Sequence, residues 1–167
     1  GAQFNLALMY KNGEGVTQDY EESAKWYLLA GDQGDVGAQF SLAQMYESGE
    51  GVIQDNKKSA KWYHLAADQG HARAQYKLGM IYDEGIGVTQ DFEESAKWYR
   101  KAGDQGDSSS QYLLGAKYDE GIGVLQDHEE SAKWYQMAGD QGNARAQYNL
   151  GLMYRNNKGV SQDLEES

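Results

Sequence analysis

Small and apolar residues along this chain fall on two alternating helical stripes separated by glycine-rich breaks. Ala74, Leu78, Ile81 and Tyr82 follow the i, i+4, i+7, i+8 spacing of one helical face. Gly85-Ile86-Gly87-Val88 interrupts the stripe. A second stripe of Ala96, Trp98, Tyr99 and Ala102 then starts behind Asp91 and stops at Gly106. The pattern predicts a helix A and a helix B joined by a tight turn, and no strand.

The same pattern returns every 36 residues, in frames that begin at Ala2, Ala38, Ala74, Ser110 and Ala146. A fixed period in this range is the signature of a solenoid, in which each unit packs on its neighbours. The expected architecture is all-α, an αα-hairpin solenoid with repeats at 2–37, 38–73, 74–109 and 110–145 and a partial copy at 146–167. That gives nine helices and a terminal stub. The chain opens directly on a repeat without a Met, so it reads as a piece of a longer protein.

Local chemistry supports each boundary. Gly13, Gly49, Gly85 and Gly121 stand where a helix end takes a positive φ, and Asn157 replaces them in the fifth copy. Asp19/Glu22, Asp91/Glu94, Asp127/Glu130 and Asp163/Glu166 have the spacing of an N-cap and an acidic residue at N3, close to a capping box. This explains the carboxylate pairs without catalysis. Glu21/Lys25, Glu93/Lys97 and Glu129/Lys133 are spaced as i,i+4 ion pairs, whereas in the second copy Lys57 faces Lys61. Ala7, Ala43, Gly79, Gly115 and Gly151 mark a close helix–helix approach, and the ladder of Trp26, Trp62, Trp98 and Trp134 reads as core packing. Asp35, Asp107 and Asn143 are N-caps for the following helix A.

Charge and composition narrow the function. A net charge of −11 argues against nucleic acid, whose phosphates require Lys and Arg, and against anionic lipid surfaces. Basic or neutral partners fit better. Without cysteine there is neither a disulfide nor a thiolate metal site, and the redox compartment stays open. No apolar run is long enough to span a membrane. His64, His71 and His128 occupy different repeat positions without a second ligand at metal spacing. The glycine turns end helices and lack a following Lys-Ser/Thr, so they are not phosphate cradles. No catalytic residue, cofactor or metal is assigned.

The pattern A-x-Y-x-L-G-x-x-Y-x-x-G-x-G-V-x-x-D followed by S-A-K-W-Y-x-x-A-x-x-x-G resembles the Sel-1-like repeat family of tetratricopeptide-like solenoids. It covers the whole chain. Ser23, Ser59, Ser95 and Ser131 stand where that family usually has Ala, and the disulfide staple of many members is absent. The resemblance implies hairpins stacked into a right-handed superhelix and an adaptor role in protein complexes.

It also implies that the second face of helix A lines a concave groove. Four columns occupy that face: Phe4, Phe40, Tyr76, Tyr112, Tyr148; then Leu8, Gln44, Met80, Ala116, Leu152; then Lys11, Glu47, Asp83, Asp119, Arg155; and finally Asn12, Ser48, Glu84, Glu120, Asn156. They differ between copies while the frame does not. The leading expectation is a non-enzymatic scaffold that binds a basic or polar protein or peptide through Phe40, Gln44, Glu47, Tyr76, Met80, Asp83, Glu84, Tyr112, Asp119, Glu120 and Tyr148. The alternatives are a carbohydrate or peptidoglycan-fragment binder, using aromatic platforms beside carboxylates, and a hydrolase with Asp83 and Asp119 as an inverting pair. Apolar end faces, with Leu6 and Tyr10 at one end and Leu150, Met153 and Tyr154 at the other, predict end-to-end self-association.

Overall fold

The nine α-helices in the computed structural model, which describes residues 1–160, are α1 (Ala2–Asn12), α2 (Tyr20–Asp32), α3 (Val36–Ser48), α4 (Asn56–Asp68), α5 (Ala72–Glu84), α6 (Phe92–Asp104), α7 (Ser108–Glu120), α8 (His128–Asp140) and α9 (Ala144–Arg155). Odd-numbered helices are the A helices and even-numbered ones the B helices. No strand occurs among the described residues. The stub with Asp163 and Glu166 lies outside them. α1–α5 belong to one compact unit, residues 1–90, and α6–α9 to a second that starts at Asp91. Within each unit every helix packs on the next.

Helix boundaries follow from satisfied backbone groups. Gly13, Gly49, Gly85 and Gly121 are left-handed and donate back into the last turn of their A helices, and Asn157 takes φ 51°, the one non-glycine among the described residues with a positive value. The second glycine of each turn answers a different need. A Cβ on Gly51 would lie 2.2 Å from the Tyr20 carbonyl oxygen, and one on Gly123 2.0 Å from that of Phe92. The turn of one repeat therefore rests directly on the first residue of the preceding helix B.

The B helices start on Asp caps, as the sequence predicts: Asp91 Oδ1 accepts from the Glu93 and Glu94 amides at 3.0 Å. The reciprocal half of a capping box is missing. The N-cap amide is already used, since Asp19, Asp55 and Asp127 donate to the carbonyls of Tyr10, Tyr46 and Tyr118. The glutamates turn to lysine instead. Lys25–Glu22, Lys97–Glu94 and Lys133–Glu130 are i,i+3 pairs at 2.5–2.7 Å, in place of the i,i+4 pairs expected with Glu21, Glu93 and Glu129. The three predicted A-helix caps, Asp35, Asp107 and Asn143, hold as well, and His71 joins them by accepting from the Ala74 amide at 3.2 Å.

The core is built from small residues and rings. Tyr27 and Tyr63 are wholly buried, as are Ala7 and Ala43 at the predicted approach points. A Cβ on Gly115 would meet the Tyr135 ring at 2.8 Å. Gly151, where an added Cβ would meet nothing within 4 Å among the described residues, departs from this pattern. Two of the serines that stand at the Ala position tie paired helices together: Ser23 donates to the Ala7 carbonyl at 2.8 Å and Ser59 to that of Ala43 at 2.9 Å. Trp62 rests on Gly31 of α2 and Trp134 on Gly103 of α6, so each ring spans successive B helices. Trp62, Trp98 and Trp134 are buried, while Trp26 is half-buried. One charge enters the packing stripe. Lys117 occupies the position of Ile81 and is buried, with its ammonium 5.2 Å from the Phe92 ring centre and 5.8 Å from that of Tyr99.

Candidate partner-binding face

The aromatic column of the A helices is anchored at its base. Phe40 tilts onto Tyr63 with ring centres 5.6 Å apart and stacks on His71 at 4.5 Å. Phe4 meets Tyr27 at 5.6 Å and Tyr112 meets Tyr135 at 5.9 Å. Phe40, Tyr76 and Tyr112 are half-buried, whereas Tyr148 is 68% exposed. Each ring except Tyr148 thus serves the core with one edge and offers the other to solvent. Gln44, Glu47, Glu84 and Glu120 are exposed; Met80, Asp83 and Asp119 are half-buried.

Behind the charged column lies the hydroxyl of a helix B tyrosine. In the first unit Tyr63 Oη donates to Glu47 Oε2 at 2.5 Å, and Lys77 Nζ from α5 reaches both Glu47 oxygens at 2.9 and 3.2 Å. The ammonium also stands 6.0 Å over the Tyr63 ring. Burial, followed by the Glu47 bond and charge, holds this phenol far above its usual range, so it remains a donor. At Tyr27 burial again raises the phenol, with the Ser41 hydroxyl pulling the other way.

The second unit repeats the arrangement with different residues. Burial raises the Tyr135 phenol to about 12, opposed by its hydrogen bond with Asn149 and reinforced by the charge of Asp119. Asp119 Oδ1 lies 3.0 Å from His128 Nδ1 and 3.4 Å from Lys158 Nζ. Asp119, Tyr135, Asn149 and Lys158 line, with Tyr112 and Glu120, a cavity of about 300 Å³. Asp83 and Glu84 belong to the first unit, Asp119 and Glu120 to the second. Among the described residues no cluster of three or more His, Cys, Asp or Glu is placed to hold a metal, and no helix is long and apolar enough to cross a membrane.

The sequence profile of the Sel1 repeat matches residues 1–35, 36–71, 72–107, 108–143 and 144–167, end to end along the chain. The chain belongs to the Sel1 repeat family. A protective antigen of uropathogenic Escherichia coli displaying this repeat fold is 42% identical, with a TM-score of 0.90 over 97% of this chain and 35% of its own. A Sel1 repeat protein from Oxalobacter formigenes is 36% identical, with a TM-score of 0.91 over 97% of this chain and 67% of its own. Cysteine-rich protein B of Helicobacter pylori, 24% identical with a TM-score of 0.60, shares the fold over 83% of this chain and all of its own. The present chain therefore spans about a third of the first relative. No curated protein gives a significant match. Sel1 repeat proteins are generally non-enzymatic scaffolds and typically bind proteins.

Two features of this Sel1 array escaped the four-column reading. The first is the residue after the aromatic: Asn5, Ser41, Lys77, Leu113 and Asn149. In the geometry around Tyr27, Tyr63 and Tyr135 it faces the tyrosine of the preceding helix B. Its variation from copy to copy is the same signal that picked out the other columns. The second is glutamine. Gln39 Nε2 donates to the Gly31 carbonyl at 3.0 Å and its Oε1 accepts from Gln69 at 2.8 Å, so one buried amide joins α2, α3 and α4. An amide that repeats unchanged at a position flanked by Ala in most copies was the available clue.

Proposed function

We propose that the protein is a non-enzymatic scaffold that binds a basic or polar protein or peptide along the solvent-facing edge of its A helices. The observation that carries this reading is the contrast between frame and face. The caps, the turn glycines and the Trp-Tyr pairs repeat almost unchanged, whereas the columns that hold Gln44, Glu47, Met80, Glu84 and Glu120 change along the chain, and these residues reach solvent. Residues free of packing duty are the ones a repeat protein can tune for recognition. The net charge of −11 and the carboxylates on this face favour basic or polar partners by electrostatic complementarity.

The test is a peptide selected from a displayed library on the intact chain. Changing Asp83, Glu84, Asp119 and Glu120 together to Asn and Gln is expected to weaken its binding and flatten the salt dependence, with helicity intact. Changing Lys25, Lys61 and Lys97 on the exposed faces of the B helices to Ala is expected to leave binding unchanged. The reverse pattern contradicts the reading.

A further inference from the structure

The two tyrosine–carboxylate sites differ in one decisive residue. Around Tyr63 the chain supplies its own cation, Lys77, which pairs with Glu47 and stands over the Tyr63 ring. Around Tyr135 the equivalent of Glu47 is Asp119 and the equivalent of Lys77 is Asn149. Asn149 is shorter and neutral, and a cavity of about 300 Å³ opens where the lysine stem would run. We propose that this cavity takes one basic side chain, a lysine or arginine of a bound polypeptide, in the role that Lys77 plays internally in the first unit.

The walls suit that occupant. Tyr112, which is half-buried, gives an aromatic wall to the aliphatic stem and the cation, and the buried Tyr135 also lines the cavity. Among the described residues, the side chains that pair with Asp119, His128 Nδ1 and Lys158 Nζ, both approach Oδ1, which leaves Oδ2 for an incoming donor. Glu120 lines the same cavity and is exposed. Lys158 is the one cation of the lining among the described residues, and it sits 48% exposed at 3.4 Å from Asp119, a loose contact that an incoming ammonium can displace. Its equivalents in the other copies are Glu14, Glu50, Ile86 and Ile122.

The inference rests on the A-helix reading of function but is tested without a protein partner. The probe is lysine blocked at both ends, acetyl-lysine-amide, titrated into the ¹⁵N-labelled chain, with acetyl-norleucine-amide as a neutral control of similar shape. Saturable amide shifts at Ala116, Asn149 and Leu152 are expected with lysine and not with norleucine. Asn149→Lys, which installs the residue of the third repeat, is expected to abolish them, and Asp119→Asn to weaken the lysine derivative about tenfold. Lys158→Ala is expected to strengthen it. Equal shifts from lysine and norleucine overturn the proposal, as does an Asn149→Lys chain that melts like the parent and still binds. Failure here leaves partner docking elsewhere on the A helices intact. Loss of partner binding only from the B faces refutes that broader reading instead.

Discussion

Gln54 and Asp55 are adjacent in sequence and close the ends of two different helices. Gln54 Nε2 donates to the Glu47 carbonyl at the end of α3, at 2.9 Å, and Asp55 Oδ1 accepts from the Lys57 and Lys58 amides at the start of α4, at 3.0 Å. Gln18-Asp19, Gln90-Asp91 and Gln126-Asp127 do the same. A single dipeptide thus fixes where helix A stops and helix B begins. Asp55→Ala is expected to cost about 1 kcal/mol and Gln54→Leu a similar amount, each measured by urea unfolding. No loss in either variant would show that the turn glycines alone set the boundary.

Ser110 makes the opposite kind of prediction. It is wholly buried and its hydroxyl has no hydrogen-bond partner among the described residues. The equivalent residue is Ala2, Ala38, Ala74 or Ala146 in the other copies. Burying an unpaired hydroxyl is unfavourable, so Ser110→Ala is expected to raise stability by about 1 kcal/mol. Ser59→Ala removes a bonded hydroxyl instead and is expected to lower it. A Ser110→Ala chain that melts below the parent would contradict this.

The tryptophan ladder separates inner from outer repeats. Trp62 is buried against Gly31, whereas Trp26 is half-buried. Trp62→Ala is expected to cost about 3–5 kcal/mol and Trp26→Ala no more than about 2 kcal/mol. Equal losses in thermal or denaturant melts would mean that inter-repeat packing is not what the ring contributes.

Much of this frame was legible in the sequence because each device recurs at the same place. The turn glycines, the Asp caps and the Trp-Tyr pair each announce a local physical need. What stayed hidden depends on contacts between repeats. Lys77 reads as an ordinary exposed lysine until α5 sets it beside Glu47 of α3. Lys117 breaks the apolar stripe, and its ammonium stands near the ring faces of Phe92 and Tyr99, which no sequence pattern announces. The missing half of the capping box depends on Tyr10, Tyr46 and Tyr118 carbonyls nine residues upstream of the cap. On the proposed binding face, the sequence picked out exposed columns but missed the column that faces the tyrosine hydroxyls.

His71 gives a pH signature. Burial, then the charge of Arg73, holds its imidazole below the ordinary histidine value. Its Nδ1 accepts the Ala74 amide, which only the neutral ring can do. Because the folded pKa lies below the unfolded one, the cap's contribution is complete above about pH 6.5 and is lost as pH falls through the folded value. His71→Asp, the residue used at 35 and 107, keeps its cap down to about pH 4. The stability of His71→Asp relative to the parent is therefore expected to increase by about 1 kcal/mol between pH 7 and pH 5. A difference that does not change with pH would remove His71 from the account.

The central claim is that recognition belongs to the A helices. Its most direct test is the amide spectrum of the ¹⁵N-labelled chain, recorded while a peptide selected on the intact protein is titrated in. The account predicts that the largest shifts fall on the A-helix face, at residues such as Gln44, Glu47, Met80, Glu84 and Glu120. Shifts concentrated around Lys61, Lys97 and Lys133 on the exposed faces of the B helices, with the A helices silent, would contradict it.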